Sequence, residues 1–206
     1  MRANRKRRQF ASPVFSFVVD GECELWYLQM LKDNERSLKI RLSPEIYKKK
    51  TLCEQYKRVV QLTKESEKVF WVIDFDVIYN ATPPAKKGVK TEQQKFKEYY
   101  DKCKKNKKVI VIVNNPCLEF WFLLHFYYTK RFYEDYKSLL PVLKKHLLDY
   151  EKTEKYFIKT SPDIYKRLKV KLKTARENSQ KTGEFDLNNI AIGISEMHKI
   201  FDELKM

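Results

Sequence analysis

Two hundred and six residues are enough for one domain with a sizeable core, or for a compact domain with a helical annex, and too few for two full domains. With 43% apolar and 14% aromatic residues, four glycines and seven prolines, the composition excludes a chain dominated by disorder or long linkers. The net charge of +16 is concentrated in three segments: residues 1–8 carry five basic groups and no acid, residues 84–108 ten lysines against three acids, and residues 144–176 eleven basic groups against four acids. Together these come to +19, which leaves the rest of the chain at −3. Basic segments around a neutral or slightly acidic middle fit a polyanion bound over an acidic centre, although solvated lysine-rich helix faces give the same count.

Cys23, Cys53, Cys103 and Cys117 lie far apart, with no C-x-x-C pair and no histidines at zinc spacing, so free thiols in a reducing cytoplasm are expected. The basic N-terminus is followed by only about six apolar residues, too few for a signal peptide, and no stretch approaches the roughly twenty apolar residues of a membrane span. A soluble cytoplasmic protein without a membrane partner is the expectation.

Val14 to Val19 reads as a first strand, and Asp20-Gly21 turns it into an amphipathic helix from Glu22 to about Glu35. A short strand over Leu38 to Leu42 and a second helix from Thr51 to about Glu67 follow. Val69 to Ile73 is the next strand, ending in Asp74-Phe75-Asp76. If the backbone stays extended, both aspartates project from one face at the carboxyl end of the strand, where open α/β sheets place their sites. Two such carboxylates repel unless a cation, a proton or basic groups intervene, and magnesium is the simplest relief; a solvated turn accounts for the same residues. Residues 78–90 read as a loop with Pro83-Pro84, and Glu92 to Lys105 as a charged helix.

Val109 to Val113 is a β-branched run expected to be covered on both faces, and Asn114 or Asn115 is expected to cap the apolar helix after it, with Pro116 in its first turn. Glu119 is the exception in that helix. With Asn115 as the cap it falls one residue past the capping-box position, so it needs another partner: a metal ion, a basic side chain or backbone amides. Beyond Tyr128 no strand is expected, and Phe132 to Tyr150, Asp163 to Asn178 and Glu196 to Leu204 read as helices. The chain is thus read as one α/β domain, 1–206, with a mostly parallel sheet over residues 1–128 and a C-terminal helical annex over 129–206. His125, His146 and His198 are scattered and read as core histidines, while Tyr127, Tyr128, Phe132 and Tyr133 suit either the core or stacking on bases.

Three separated pieces carry a family resemblance: Asp20-Gly21-Glu22-Cys23-Glu24 with Tyr27, then Asp74-Phe75-Asp76, then Asn115-Pro116-Cys117-Leu118-Glu119-Phe120-Trp121 through Leu124-His125-Phe126. In order and spacing they resemble the RloB family of Toprim-like proteins, and Ala191 to Leu204 is similar to the family's C-terminal helix. The resemblance implies a Toprim-like sheet that gathers magnesium or manganese for phosphodiester chemistry, in a prokaryotic restriction or phage-defence system with an ATPase often alongside. One position departs from the pattern. Asp20 stands where the family's glutamate precedes the glycine, so either Asp20 reaches the metal, or Glu22 stands in, or the site is inactive.

The implied site has Asp74, Asp76 and Glu22 as metal ligands, with Asp20, Glu22 and Glu119 as catalytic groups that complete the shell, activate water or orient a ligand. Lys86, Lys87, Lys90, Lys166, Arg167 and Lys169 are expected to hold a nucleic-acid backbone without sequence preference. The implied activity is a nuclease on DNA or RNA, tRNA among the candidates. The alternative is a non-catalytic subunit that binds nucleic acid or docks on the ATPase.

Overall fold

A computed structural model describes residues 12–38, 40–46, 51–81 and 88–206. Lys86 and Lys87, the basic segment 1–8 and residues 82–87 of the expected 78–90 loop lie outside the described residues, while residues 78–80 of that loop are helical instead. The order of elements is β1 (Val14–Val19), α1 (Glu22–Asn34), β2 (Arg41–Ile46), α2 (Leu52–Leu62), β3 (Lys68–Asp74), α3 (Phe75–Asn80), α4 (Glu92–Lys104), β4 (Val109–Asn115) and α5 (Leu118–Leu124). The annex adds α6 (Tyr136–Leu143), a π-helical turn (Lys155–Lys159), α7 (Ile164–Lys169), α8 (Leu172–Thr182), β5 (Ile194–Ser195) and α9 (His198–Glu203).

The five strands form one sheet in the order β2-β1-β3-β4-β5, with the first three pairings parallel and β5 antiparallel to β4. Side chains alternate across the pleat, and this sorts the core into two layers. Phe15, Phe17, Val19, Phe70, Val72 and Ile112 pack under α1, α5 and the annex. Val18, Val69, Trp71, Ile73, Val111 and Val113 pack against the side of α2, α3 and α4. A parallel sheet covered on both faces needs apolar strands throughout, which β1, β3 and β4 supply. Pro44 is tolerated in β2 because that strand is an edge. Thr51 and Thr91 close capping boxes with Glu54 and Gln94, and so fix where α2 and α4 start.

Several local expectations need correction. Asp76 is not on a strand: β3 ends at Asp74 and the chain turns directly into α3, so Asp76 lies in a helical first turn. The apolar helix starts two residues later than expected, with Cys117 rather than Asn115 at its cap, because Asn115 is still in β4, where its side-chain amide donates to the carbonyls of Ile190 and Ile192 at 2.8 Å. The second strand is Arg41–Ile46 rather than 38–42.

The annex also contains a strand. Its two residues pair with Asn114 and Asn115 and are fastened by the buried Glu196, whose Oε2 accepts from the Val113 N–H at 3.0 Å. Gly193 precedes it because a Cβ there would meet the Phe120 ring and the Arg131 carbonyl at 2.5 Å. The expected helices over 132–150 and 163–178 are each shorter or broken: α6 begins only at Tyr136, capped by Asp135, and α7 and α8 are separate. Among the described residues no helix is long and apolar enough to cross a membrane.

Candidate functional site

The pleat decides which acids meet. Asp74 continues the parity of Phe70 and Val72, so it projects toward α1 and α5. Asp20 continues the parity of Val18 and projects the other way, toward α2, where Gln55 Nε2 donates to its Oδ1 at 2.8 Å. Gln55 is itself held by Trp71, whose Nε1 donates to the amide oxygen at 3.0 Å. Burial raises the Asp20 pKa and the Gln55 bond opposes the rise.

Glu22 and Glu24 are separated by the helix in the same manner. Two residues on a helix are about 200° apart, so Glu22 is exposed while Glu24 is buried. Gly21 caps α1, and Glu24 is the third helical residue, placed to fold back over the turn; its carboxylate hydrogen-bonds its own backbone and the Asp74 side chain. A Cβ on Gly21 would collide with Glu24 Oε2.

Glu119 is the second residue of α5 and wholly buried. Two groups of the annex converge on one of its oxygens: the Tyr150 hydroxyl donates to Oε1 at 2.5 Å and the Lys152 ammonium stands 3.0 Å from it. Lys152 Nζ also lies 3.8 Å from the centre of the Tyr136 ring. Glu119 Oε2 has no hydrogen-bond partner. Asp76 is tied in through its backbone, which donates to the Pro116 carbonyl at 3.1 Å, and its carboxylate accepts from the backbone of Val77 and Tyr136. Asn114 makes a long 3.5 Å contact to Asp74 Oδ1, and its own oxygen accepts from Ser195 Oγ at 2.7 Å, so β5 helps to orient the residue beside Asp74.

Four carboxylates therefore share one ammonium, and their titration reflects it. Burial and then the charge of Glu119 push Glu24 up to about 7. Asp74 is raised well above the usual carboxylate range by burial and by Glu24, Glu119 and Asp76. Asp76 is pushed up to about 6, chiefly by burial. Burial disfavours the Lys152 ammonium, yet Glu119 and the neighbouring thiols outweigh it and its pKa rises. Such a cluster at neutral pH either keeps protons or takes a cation.

Among the described residues no three His, Cys, Asp or Glu side chains stand in a ready-made coordination set. The donor chemistry nevertheless fits a hard divalent ion: every donor is a carboxylate oxygen, and one buried oxygen of Glu119 has its lone pairs unused. Two concavities flank the cluster. One of about 200 Å³ is lined by Asp20, Gln55, Asp74 and Glu92; the other, of about 190 Å³, by Asp76, Tyr79, Phe132 and Glu134.

Of the residues singled out in the sequence, Asp74, Asp76 and Glu119 come together, while Asp20 lines the neighbouring cavity and Glu22 faces outward. The described basic candidates, Lys90, Lys166, Arg167 and Lys169, have their partners elsewhere. Lys90 pairs with Glu98 on α4, and Lys166 with Asp163 at 3.6 Å. Arg167 braces the annex, bonding both Asp149 oxygens and the Pro162 carbonyl. Lys169 pairs with Glu35 at the far end of α1, roughly 16 Å along the helix from Glu24. Sequence reasoning quoted Glu24 only as a neighbour of Glu22 in the first motif piece without giving it a role, and missed Asn114, Tyr150 and Lys152 as parts of the site. Only Glu24 had a signal, since counting from Gly21 puts it at the position that folds back over the helix start.

The first and third motif pieces touch: Trp121 Nε1 donates to the Tyr27 hydroxyl at 3.0 Å. His125 is a core residue, its Nδ1 bonded to the Trp121 carbonyl at 2.9 Å and its pKa lowered by burial to about 4. The four cysteines are free thiols.

A model of the RloB-like protein family matches residues 15–204. The chain belongs to the RloB-like family. Comparison with curated proteins and with solved structures finds no match. The RloB-like match spans all four clustered acids as well as Tyr150 and Lys152, so sheet edge and annex fall within one family unit.

Proposed function

We propose that this RloB-like chain is a metal-dependent, Toprim-like nuclease that cleaves phosphodiester bonds of DNA or RNA, tRNA included, within a prokaryotic phage-defence or restriction-linked system. The observation that carries the reading is the cluster of buried Glu24 and Glu119 with half-buried Asp74 and Asp76 at the carboxyl ends of the central strands, with raised pKa values at Glu24, Asp74 and Asp76 and a Glu119 oxygen without a hydrogen-bond partner. Asp74, Asp76 and Glu119 would hold Mg²⁺ or Mn²⁺. Such an ion supplies charge neutralisation at a phosphodiester and an acidified water. Glu24 would take a proton from the attacking water once its carboxylate is ionised; in the metal-free chain burial and the Glu119 charge raise its pKa to about 7. Lys152, whose side chain is 35% exposed, offers its ammonium to a phosphate oxygen, and Tyr150 keeps Glu119 in place. Asp20 and Gln55 shape the adjoining cavity.

A second reading, a non-catalytic subunit that binds nucleic acid or docks on an ATPase, draws support from the Lys152–Glu119 pair. There the chain supplies its own cation to the acids.

The two separate in one assay. Labelled duplex DNA, single-stranded DNA and total tRNA are incubated with the chain and Mg²⁺, Mn²⁺ or chelator, beside Glu24→Gln and Asp74→Asn variants. Cleavage is expected only with metal, falling by about 100-fold or more in either variant. Absence of cutting in every condition, with an ATPase partner also present, would favour the second reading.

A further inference from the structure

Beyond Asp76 lies a concavity for which the chemistry at the acid cluster has no use. Its volume of about 190 Å³ is below the roughly 300 Å³ at which drug-sized pockets begin, so it suits a single ring system. Tyr79 and Phe132 stand on its walls with 44% and 43% of their surface exposed. Neither stacks on another aromatic ring among the described residues, whereas the rings of the core pair extensively, as Phe17 with Phe70 or Tyr56 with Tyr99. Apart from the Tyr79 hydroxyl, the polar side-chain groups on the lining are acceptors: the carboxylates of Asp76 and Glu134, and the side-chain oxygen of Asn115, whose amide N–H groups are given to Ile190 and Ile192.

Two flat apolar faces with acceptors between them select a planar ligand that brings donors. We propose that this cavity takes an unpaired guanine base from the nucleic acid whose backbone crosses the acid cluster. Guanine presents N1–H and the N2 amino group side by side, matching the two oxygens of one carboxylate. Adenine and cytosine offer one amino donor beside an acceptor, and thymine or uracil one donor between two acceptors, so each would set a lone pair against a carboxylate. Glu134, exposed at the rim, reads this edge, and Phe132 and Tyr79 supply the stacking. The edge being read is the one used in pairing, so the base must be unpaired. Because Asp76 lines both concavity and cluster, the base sits beside the backbone to be cut; that placement rests on the phosphodiester reading, whereas recognition of the base does not.

The test is fluorescence anisotropy of the full chain in chelator, where no cleavage occurs, with labelled oligothymidine carrying one central guanine, inosine or adenine. Inosine lacks only the N2 amino group. The guanine probe is expected to bind about tenfold more tightly than the other two. Phe132→Ala should weaken it by about tenfold, and Glu134→Gln should erase the preference while leaving residual binding. All three walls are exposed, so unchanged melting temperatures will confirm folding. Equal affinity for the three probes, indifference to Phe132→Ala, or no binding at all would overturn the proposal. Guanine-selective binding without cleavage under any metal would remove the nuclease reading alone, and cleavage without selectivity would remove the guanine site alone.

Discussion

At Glu24 the ionised carboxylate is opposed by burial and by Glu119, and the consequence is a pH dependence of definite sign. Between the ordinary value of 4.5 and the folded value of about 7, the folded protein holds a proton that the unfolded chain has released. Stability therefore falls as pH rises through that window. Thermal melts of the metal-free protein should decline from pH 5 to pH 7, and the slope should flatten in Glu24→Gln, which is expected to be more stable than the parent at pH 8 by about 1–3 kcal/mol. A variant as steep as the parent would place the proton elsewhere. Lys152→Ala has the opposite effect, since it strands the buried Glu119 carboxylate. The loss should be about 1–3 kcal/mol in urea melts, less than for a fully buried pair because Lys152 is partly solvated. At this scale the sequence was only partly legible. Asp74, Asp76 and Glu119 were evident as acids against apolar strings, but Asp20 and Glu22 looked equivalent to Glu24 until pleat parity and helix phase were known.

Elements are set by short-range chemistry where they were read correctly. The runs Val14–Val19 and Val109–Val113 announce themselves by β-branched and aromatic residues, and Thr51 and Thr91 start their helices by reciprocal capping. Two glycines tie elements to the site. Gly21→Ala should leave the melting temperature within a few degrees, because the clash is with the end of the flexible Glu24 side chain. Metal-dependent cleavage should nonetheless fall, since the carboxylate is displaced; retained activity would argue against a role for Glu24. Gly193→Ala forces backbone and the Phe120 ring apart within the core and should destabilise by about 1–3 kcal/mol. The strand that follows Gly193 had no signal of its own. Two residues cannot display a period, and Ile194–Ser195 becomes a strand only because Glu196 and Asn115 satisfy the backbone around it.

The whole molecule places its acids and its main counter-charge on different parts of the chain. Glu24, Asp74, Asp76 and Glu119 come from the α/β portion, whereas Tyr150 and Lys152 arrive from the annex more than thirty residues later. No local pattern marks such a convergence, which is why the basic segment 144–176 was read as a backbone-binding surface and its one lysine at the acids went unnoticed. The basic residues of α7 are largely engaged in bracing the annex onto itself and onto α1.

The central claim is that the acid cluster takes a hard divalent cation, and calorimetric titration of Mn²⁺ into the metal-free chain measures it without needing a substrate. Saturable binding at pH 8, weaker at pH 6 where Glu24 retains its proton, and abolished in Asp74→Asn, is the expected result. No binding at either pH, or binding undiminished in Asp74→Asn, would contradict it.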